Sequence, residues 1–258
     1  MNPAHVAFFV SGGLFLGILV CLELGYRVGQ RGSAKNPETA HEGIGVLEAA
    51  VFALLGLLLA FSFAGGTSRL DTKRQLIVQE ANAIGTAYLR LDELPANEQP
   101  ELRRLFRDYL DARLRVYEKL PDLHAAEQEI VRVGELQQQI WSHAVGASRN
   151  DPTQNSARLL LPAINEMIDI TTSRKIAMYT QLPHLIFLLL AAVALISGLL
   201  AGYAMEKRKS RSWLHMVLYA AVISVTIYAV LDLEYPRFGL IHLKEADKAL
   251  IQLRDSIR

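Results

Sequence analysis

The chain is 258 residues long, 51% of them hydrophobic, and its 27 Lys and Arg nearly cancel its 26 Asp and Glu, for a net charge of +1. Without a basic excess or stripe the chain is not a nucleic-acid binder, and the length allows one or two domains. A single cysteine, Cys21, excludes an intramolecular disulfide framework and a thiolate metal cluster. The seven histidines include no pair spaced i, i+4, so no metal site and no cofactor are expected.

The apolar residues concentrate in four runs, at 6–22, 43–64, 183–205 and 213–231. A bilayer core about 30 Å thick needs roughly 20 helical residues, with about 17 as the lower limit. All four runs qualify, so four membrane-spanning helices are expected. Four such runs would leave a soluble protein almost no polar helix face. The first run lacks the basic flank of a signal peptide and is read as a retained span.

Residues 65–182 are helix-forming and charged. Leu102, Leu105, Phe106, Tyr109, Leu110, Leu114 and Tyr117 recur at helical spacing, and Ile130, Val133, Leu136, Ile140 and Trp141 continue the pattern. Pro95, Pro100 and the turn residues of "SRNDPTQN" punctuate the segment, and Pro162 marks a kink or helix start. Four helices are expected here, the first continuing out of span two and the last continuing into span three. The fold class is therefore all-α: four transmembrane helices with a four-helix bundle inserted between spans two and three. The expected divisions are 1–64, 65–182, 183–235 and a tail at 236–258.

Arg27, Arg31 and Lys35 in one short loop, and Lys207, Arg208, Lys209 and Arg211 in another, contrast with an N-terminal tail lacking Lys and Arg. By the positive-inside rule these loops face the cytoplasm, and the bundle and both termini face away from it. Small residues step along three spans: Gly13 and Gly17; Gly56, Ala60 and Ala64; Ala194, Gly198 and Gly202. This spacing lets helices approach closely, within one chain or between copies.

Four groups of residues are candidates for function. Glu48 lies about a turn inside span two, either snorkelling to the interface or serving as a pore-mouth acid. Phe61, Ser62 and Phe63 end the same span, as an aromatic belt or as a pore constriction that gates by dewetting. Counting equal helical rise from the membrane puts Glu80 and Asn82 level with Asn165, Glu166 and Asp169. That layer reads as a solvated face or a polar binding layer. Asp232 and Glu234 fall at the exit of span four, where Pro236 and Gly239 stop the helix. They read as an exposed interfacial cap that meets Arg237 or a basic residue of a neighbouring helix. No nucleophile or general acid accompanies any carboxylate pair, so no catalytic residue is assigned.

The segments "GLLLAFSFAGGTSRLDTKRQLIVQEANAIGTAYLRLDELP" and "LLPAINEMIDITTSRKIAMY", with the terminal "LDLEYPRFGLI", resemble the bacterial bestrophin-like domain proteins, a family of unknown function. The terminal motif is similar to the family's acid-x-acid-x-Pro-x-x-Gly pattern at Asp232, Glu234, Pro236 and Gly239. The resemblance implies a distant relation to bestrophins, pentameric anion channels with four spans per subunit and a hydrophobic neck. It implies a homo-oligomer, a pentamer by resemblance only, in the lipid bilayer of the bacterial inner (cytoplasmic) membrane. Bestrophins carry their helical domain in the cytoplasm, against the loop charges here, and their calcium-binding acidic cluster has no counterpart that aligns. An anion channel is the expected function. The alternative is a non-conducting membrane protein whose extracytoplasmic bundle binds a ligand or partner. No enzymatic activity is expected.

Overall fold

A computed structural model of the chain describes residues 3–35, 44–120, 122–151, 154–207, 212–241 and 243–257. Among the described residues every regular element is helical. Helix α1 (Pro3–Lys35) runs well past the apolar stretch that ends at residue 22, its polar end carrying a Glu23–Arg27 pair at 2.8 Å. Helix α2 (Ile44–Leu89) is a single helix of 46 residues. No proline interrupts it, and Gly65 and Gly66 are followed by Thr67, whose hydroxyl donates to the Phe63 and Ala64 carbonyls. A 3-10 turn (Arg90–Glu93) ends it ahead of Pro95.

Helix α3 (Gln99–Glu118) opens with Pro100 in its first turn, where a missing N–H costs nothing. Helix α4 (Leu123–Arg149) is capped by Asp122, whose carboxylate accepts from the His124 and Ala125 amides. A π-helical turn (Ser156–Leu160) leads into α5 (Leu161–Tyr179). Pro162 explains that turn: it cannot donate, and its ring crowds the carbonyl four residues back, so the preceding turn widens and the Leu161 amide reaches Ser156. Helices α6 (His184–Lys207), α7 (Trp213–Glu234) and α8 (Lys244–Ser256) complete the chain.

The chain divides into two compact units, Met1–Leu70 with Gln181–Ile241 and Asp71–Thr180 with His242–Arg258. In the first unit, four stretches in α1, α2, α6 and α7 are long and apolar enough to cross a membrane. Helix α1 packs on α6 and α7. A Cβ on Gly25 would strike the Leu199 carbonyl, and one on Gly202 would strike that of Leu22. The α1 and α6 backbones therefore touch, which glycine alone permits and which replaces the hydrophobic drive that lipid withholds. The small residues of α6 thus serve packing within the chain. Those of α2 do not: Gly56, Ala60 and Ala64 are exposed, and a Cβ on Gly56 would meet nothing within 4 Å.

In the second unit, Ile77, Ile84, Leu105, Phe106, Tyr109, Ile140, Leu160 and Ile164 are fully or almost fully buried. Helix α3 packs on α4, α4 on α5, and α8 on α3. Residues 236–258, expected as a plain tail, instead contain α8. Its Leu250 is fully buried, Leu253 lies over Gly85, and Arg254 pairs with Asp111 at 3.0 Å. A second expectation fails at Thr180, where α5 ends with extended backbone instead of continuing into span three. Gly43, Arg208, Lys209 and Arg211, used above for span bounds and loop charge, lie outside the described residues.

Candidate functional site

The terminal motif forms a clasp in the first unit. Asp232 and Glu234 sit in the last turn of α7 and are 3% and 2% exposed, not at an exit to water as expected. The Arg69 guanidinium donates to Glu234 from Nε at 3.1 Å and from Nη2 at 2.5 Å, and the Leu182 amide donates to the same carboxylate at 3.3 Å. Three chain segments, the inward side of α2, the run before α6 and the end of α7, thereby converge on one acid. Glu234 meets a basic residue of a neighbouring helix, Arg69. The burial has a physical reason: the partner arrives from 165 residues away and satisfies the charge without water. Asp232 accepts from the Leu240 amide at 3.0 Å and the Ile241 amide at 2.8 Å, folding the chain back after Pro236. Gly239 is required because a Cβ there would overlap the Asp232 carboxylate. Gln181 accepts from the Tyr235 hydroxyl at 3.1 Å and ties the same corner.

The span part of α2 has two faces. Val51, Phe52, Leu55, Leu58 and Leu59 pack into the apolar core shared with α1, α6 and α7. Ser62 and Gly66 continue that inward line and are buried, and Glu48, two turns before Leu55 on the same side, is half-buried. At about 100° per residue the opposite face carries Ala53, Leu57, Ala60 and Ala64, all exposed. Phe61 is 68% exposed and Phe63 is 47% exposed. They point about 200° apart, on either flank of the Ala60–Ala64 line. The candidate constriction is therefore split: two outward rings with Ser62 turned into the protein between them.

The second unit holds a buried polar network instead of a level layer. Glu80 is wholly buried. Arg113 donates from Nε to its Oε1 at 2.6 Å and from Nη2 to its Oε2 at 3.0 Å, and Arg174 donates to the same Oε2. Both guanidiniums lie over the Tyr117 ring, and Arg113 also donates to the Tyr117 hydroxyl at 3.0 Å. Beside them, Gln137 donates to Thr171 at 3.1 Å and, more weakly, to the Tyr109 hydroxyl at 3.4 Å. Burial pushes the Tyr109 phenol above its ordinary value, partly offset by Arg113. The other expected members stay apart: Asn82, Asn165, Glu166 and Asp169 are exposed, and Asn165 donates to Asp169 at 2.8 Å. Glu80 thus meets Arg174, further along α5 than the equal-rise count gave. That count assumed helix through residues 180–183, where the chain is not helical and an extended residue advances about 3.3 Å in place of 1.5 Å.

The partners Arg69, Arg113 and Arg174 escaped the sequence reading, although a signal existed. Arg113 occupies the same stripe as Leu102, Phe106 and Tyr109, and Arg174 continues the stripe of Ile164 and Met167. Glu80 does the same with Ile77 and Ile84, and Arg69 with Leu55, Ser62 and Gly66. A charge on an apolar stripe calls for a buried partner.

Four apolar helices of spanning length in one unit define a helical multi-pass membrane protein. The model of the bestrophin-like domain matches residues 15–246, and the chain belongs to that family. No curated protein and no solved structure matches it.

Proposed function

We propose that the chain is one subunit of a homo-oligomeric channel assembled around the outward face of α2. The observation that carries this reading is the bareness of that span. Only 11% of its apolar window is buried within the protomer, against 28%, 39% and 33% for the other three. An apolar helix left uncovered, with Ala53, Ala60 and Ala64 on its outer line, suits close approach of copies. Leu57 and the flanking Phe61 and Phe63 supply apolar bulk able to narrow an axial throat and gate it by dewetting. Anions as the conducted species, and five as the subunit number, rest on the family's kinship to bestrophins alone. The proposed topology is a helical bundle, 65–182, inserted between spans two and three, with the bundle and both termini outside the cytoplasm of a bacterial inner membrane. No catalysis is proposed. The alternative, a ligand-binding bundle, has weaker support, because the carboxylate of Glu80 is already engaged by two arginines.

The test is reconstitution of wild type, Phe61→Ala and Phe63→Ala in planar bilayers under an anion gradient. Widening the throat should raise the current in at least one variant. No current from any of the three, with oligomers intact, overturns the channel and favours the binding bundle.

A further inference from the structure

A groove of about 290 Å³ opens between α1, α6 and α7 in the first unit. Gly13, Leu14 and Gly17 of α1 line it with Ala191 and Leu195 of α6 and Ile227 of α7. Its origin is the divergence of α1 from α6. At Gly202 the two backbones touch, and at Gly17 a Cβ would still lie 3.0 Å from Leu195, but at Gly13 it would meet nothing within 4 Å. Two glycines one turn apart leave a floor of bare backbone, and hydrocarbon side chains form the walls.

The surroundings decide what fills it. Every lining residue named lies inside a stretch long and apolar enough to cross a membrane. No lining side chain can hydrogen-bond water, so the groove is not a water site. The volume sits at the lower edge of small-molecule pockets, roughly 300–1,000 Å³. It is too small for even one turn of a helix about 10 Å across, and its nine lining residues fall short of the roughly 20–30 per side of a stable protein interface. A second copy of the chain is therefore a poor occupant. What remains is a single flexible hydrocarbon, and in a bilayer that is a lipid tail.

We propose that this groove is a fixed lipid site holding one acyl chain of a membrane phospholipid, independent of whether the protein conducts. The test is native mass spectrometry of the full chain in mild detergent with palmitoyl-oleoyl phosphatidylglycerol, counting lipids retained per protomer. Gly13→Leu fills the floor from a position where a Cβ meets nothing within 4 Å. Ala191→Leu fills it from the opposite wall. Gly12→Leu is the control, since a Cβ there also meets nothing within 4 Å and Gly12 does not line the groove. Wild type and Gly12→Leu should retain one lipid per protomer, and the two filling variants should fall about tenfold with helicity unchanged. Retention by both filling variants, equal loss from the Gly12 control, or no retained lipid on wild type would each overturn the proposal.

Discussion

Removal of the Glu80 carboxylate is the sharpest test of the buried network. The Glu80 side chain is 0% exposed, and those of Arg113 and Arg174 are 9% and 7% exposed. Glu80→Ala removes the carboxylate shared by both guanidiniums, which lie over one Tyr117 ring, 5.7 Å and 5.0 Å from its centre. Removing one partner of a buried ion pair costs about 3–5 kcal/mol, and here two buried guanidiniums lose the same carboxylate. At 1.36 kcal/mol per tenfold, this is a factor of about 10² to 10⁴ in the opening equilibrium. The measurement is amide hydrogen exchange of α3 and α5 in the purified protein, where the slowest amides should speed up by that factor. Replacing Glu80, Arg113 and Arg174 together by methionine should recover most of the loss, because an apolar core needs no charge partner. A Glu80→Ala loss below about 1 kcal/mol would refute the reasoning, since only arginines that reach water tolerate the change so well.

Two further outcomes are expected. Gly239→Ala drives a Cβ into the Asp232 carboxylate and displaces the amides of Leu240 and Ile241, at about 2–4 kcal/mol for bonds to a charged acceptor. The variant should melt well below wild type, whereas equal melting would mean that the loop carries no such constraint. Tyr109 gives a pH signature: its phenol is raised in the folded chain, so its contribution to stability is full below the unfolded value of about 10 and fades as pH rises through the folded value. Wild type and Tyr109→Phe should therefore diverge in stability between pH 8 and pH 11, and parallel curves would rule out a buried phenol.

The sequence exposed some of this architecture and hid the rest for definable reasons. Spanning helices are legible because a bilayer imposes length and composition on each segment separately. The stop after Glu234 is legible because Pro236 acts locally. The end of α5 was not, since Thr180 carries no breaker of its own and Pro183 lies three residues on. Helix α8 is short, and the buried side of its apolar pattern rests on Leu250 and Leu253, so it resembled a charged tail. The register of Glu80 failed through the same break at Thr180, because helical rise was counted across residues that are not helical.

The acids show where a local reading runs out. Asp232, Glu234 and Glu80 look like surface residues when each is judged by its neighbours in sequence. Their burial depends on donors that arrive from other helices, Arg69 for Glu234 and Arg113 with Arg174 for Glu80. A carboxylate without such a donor would be driven to water. The position on the stripe is the part that sequence holds. Glu80 lies between Ile77 and Ile84, and Arg113 lies beyond Phe106 and Tyr109 on the same face. Two opposite charges on the inward stripes of two helices that share a core have few ways to be satisfied except by each other. Helical period and desolvation alone thus pair Glu80 with an arginine on an inward stripe. They do not choose between Arg113 and Arg174, and the fold takes both.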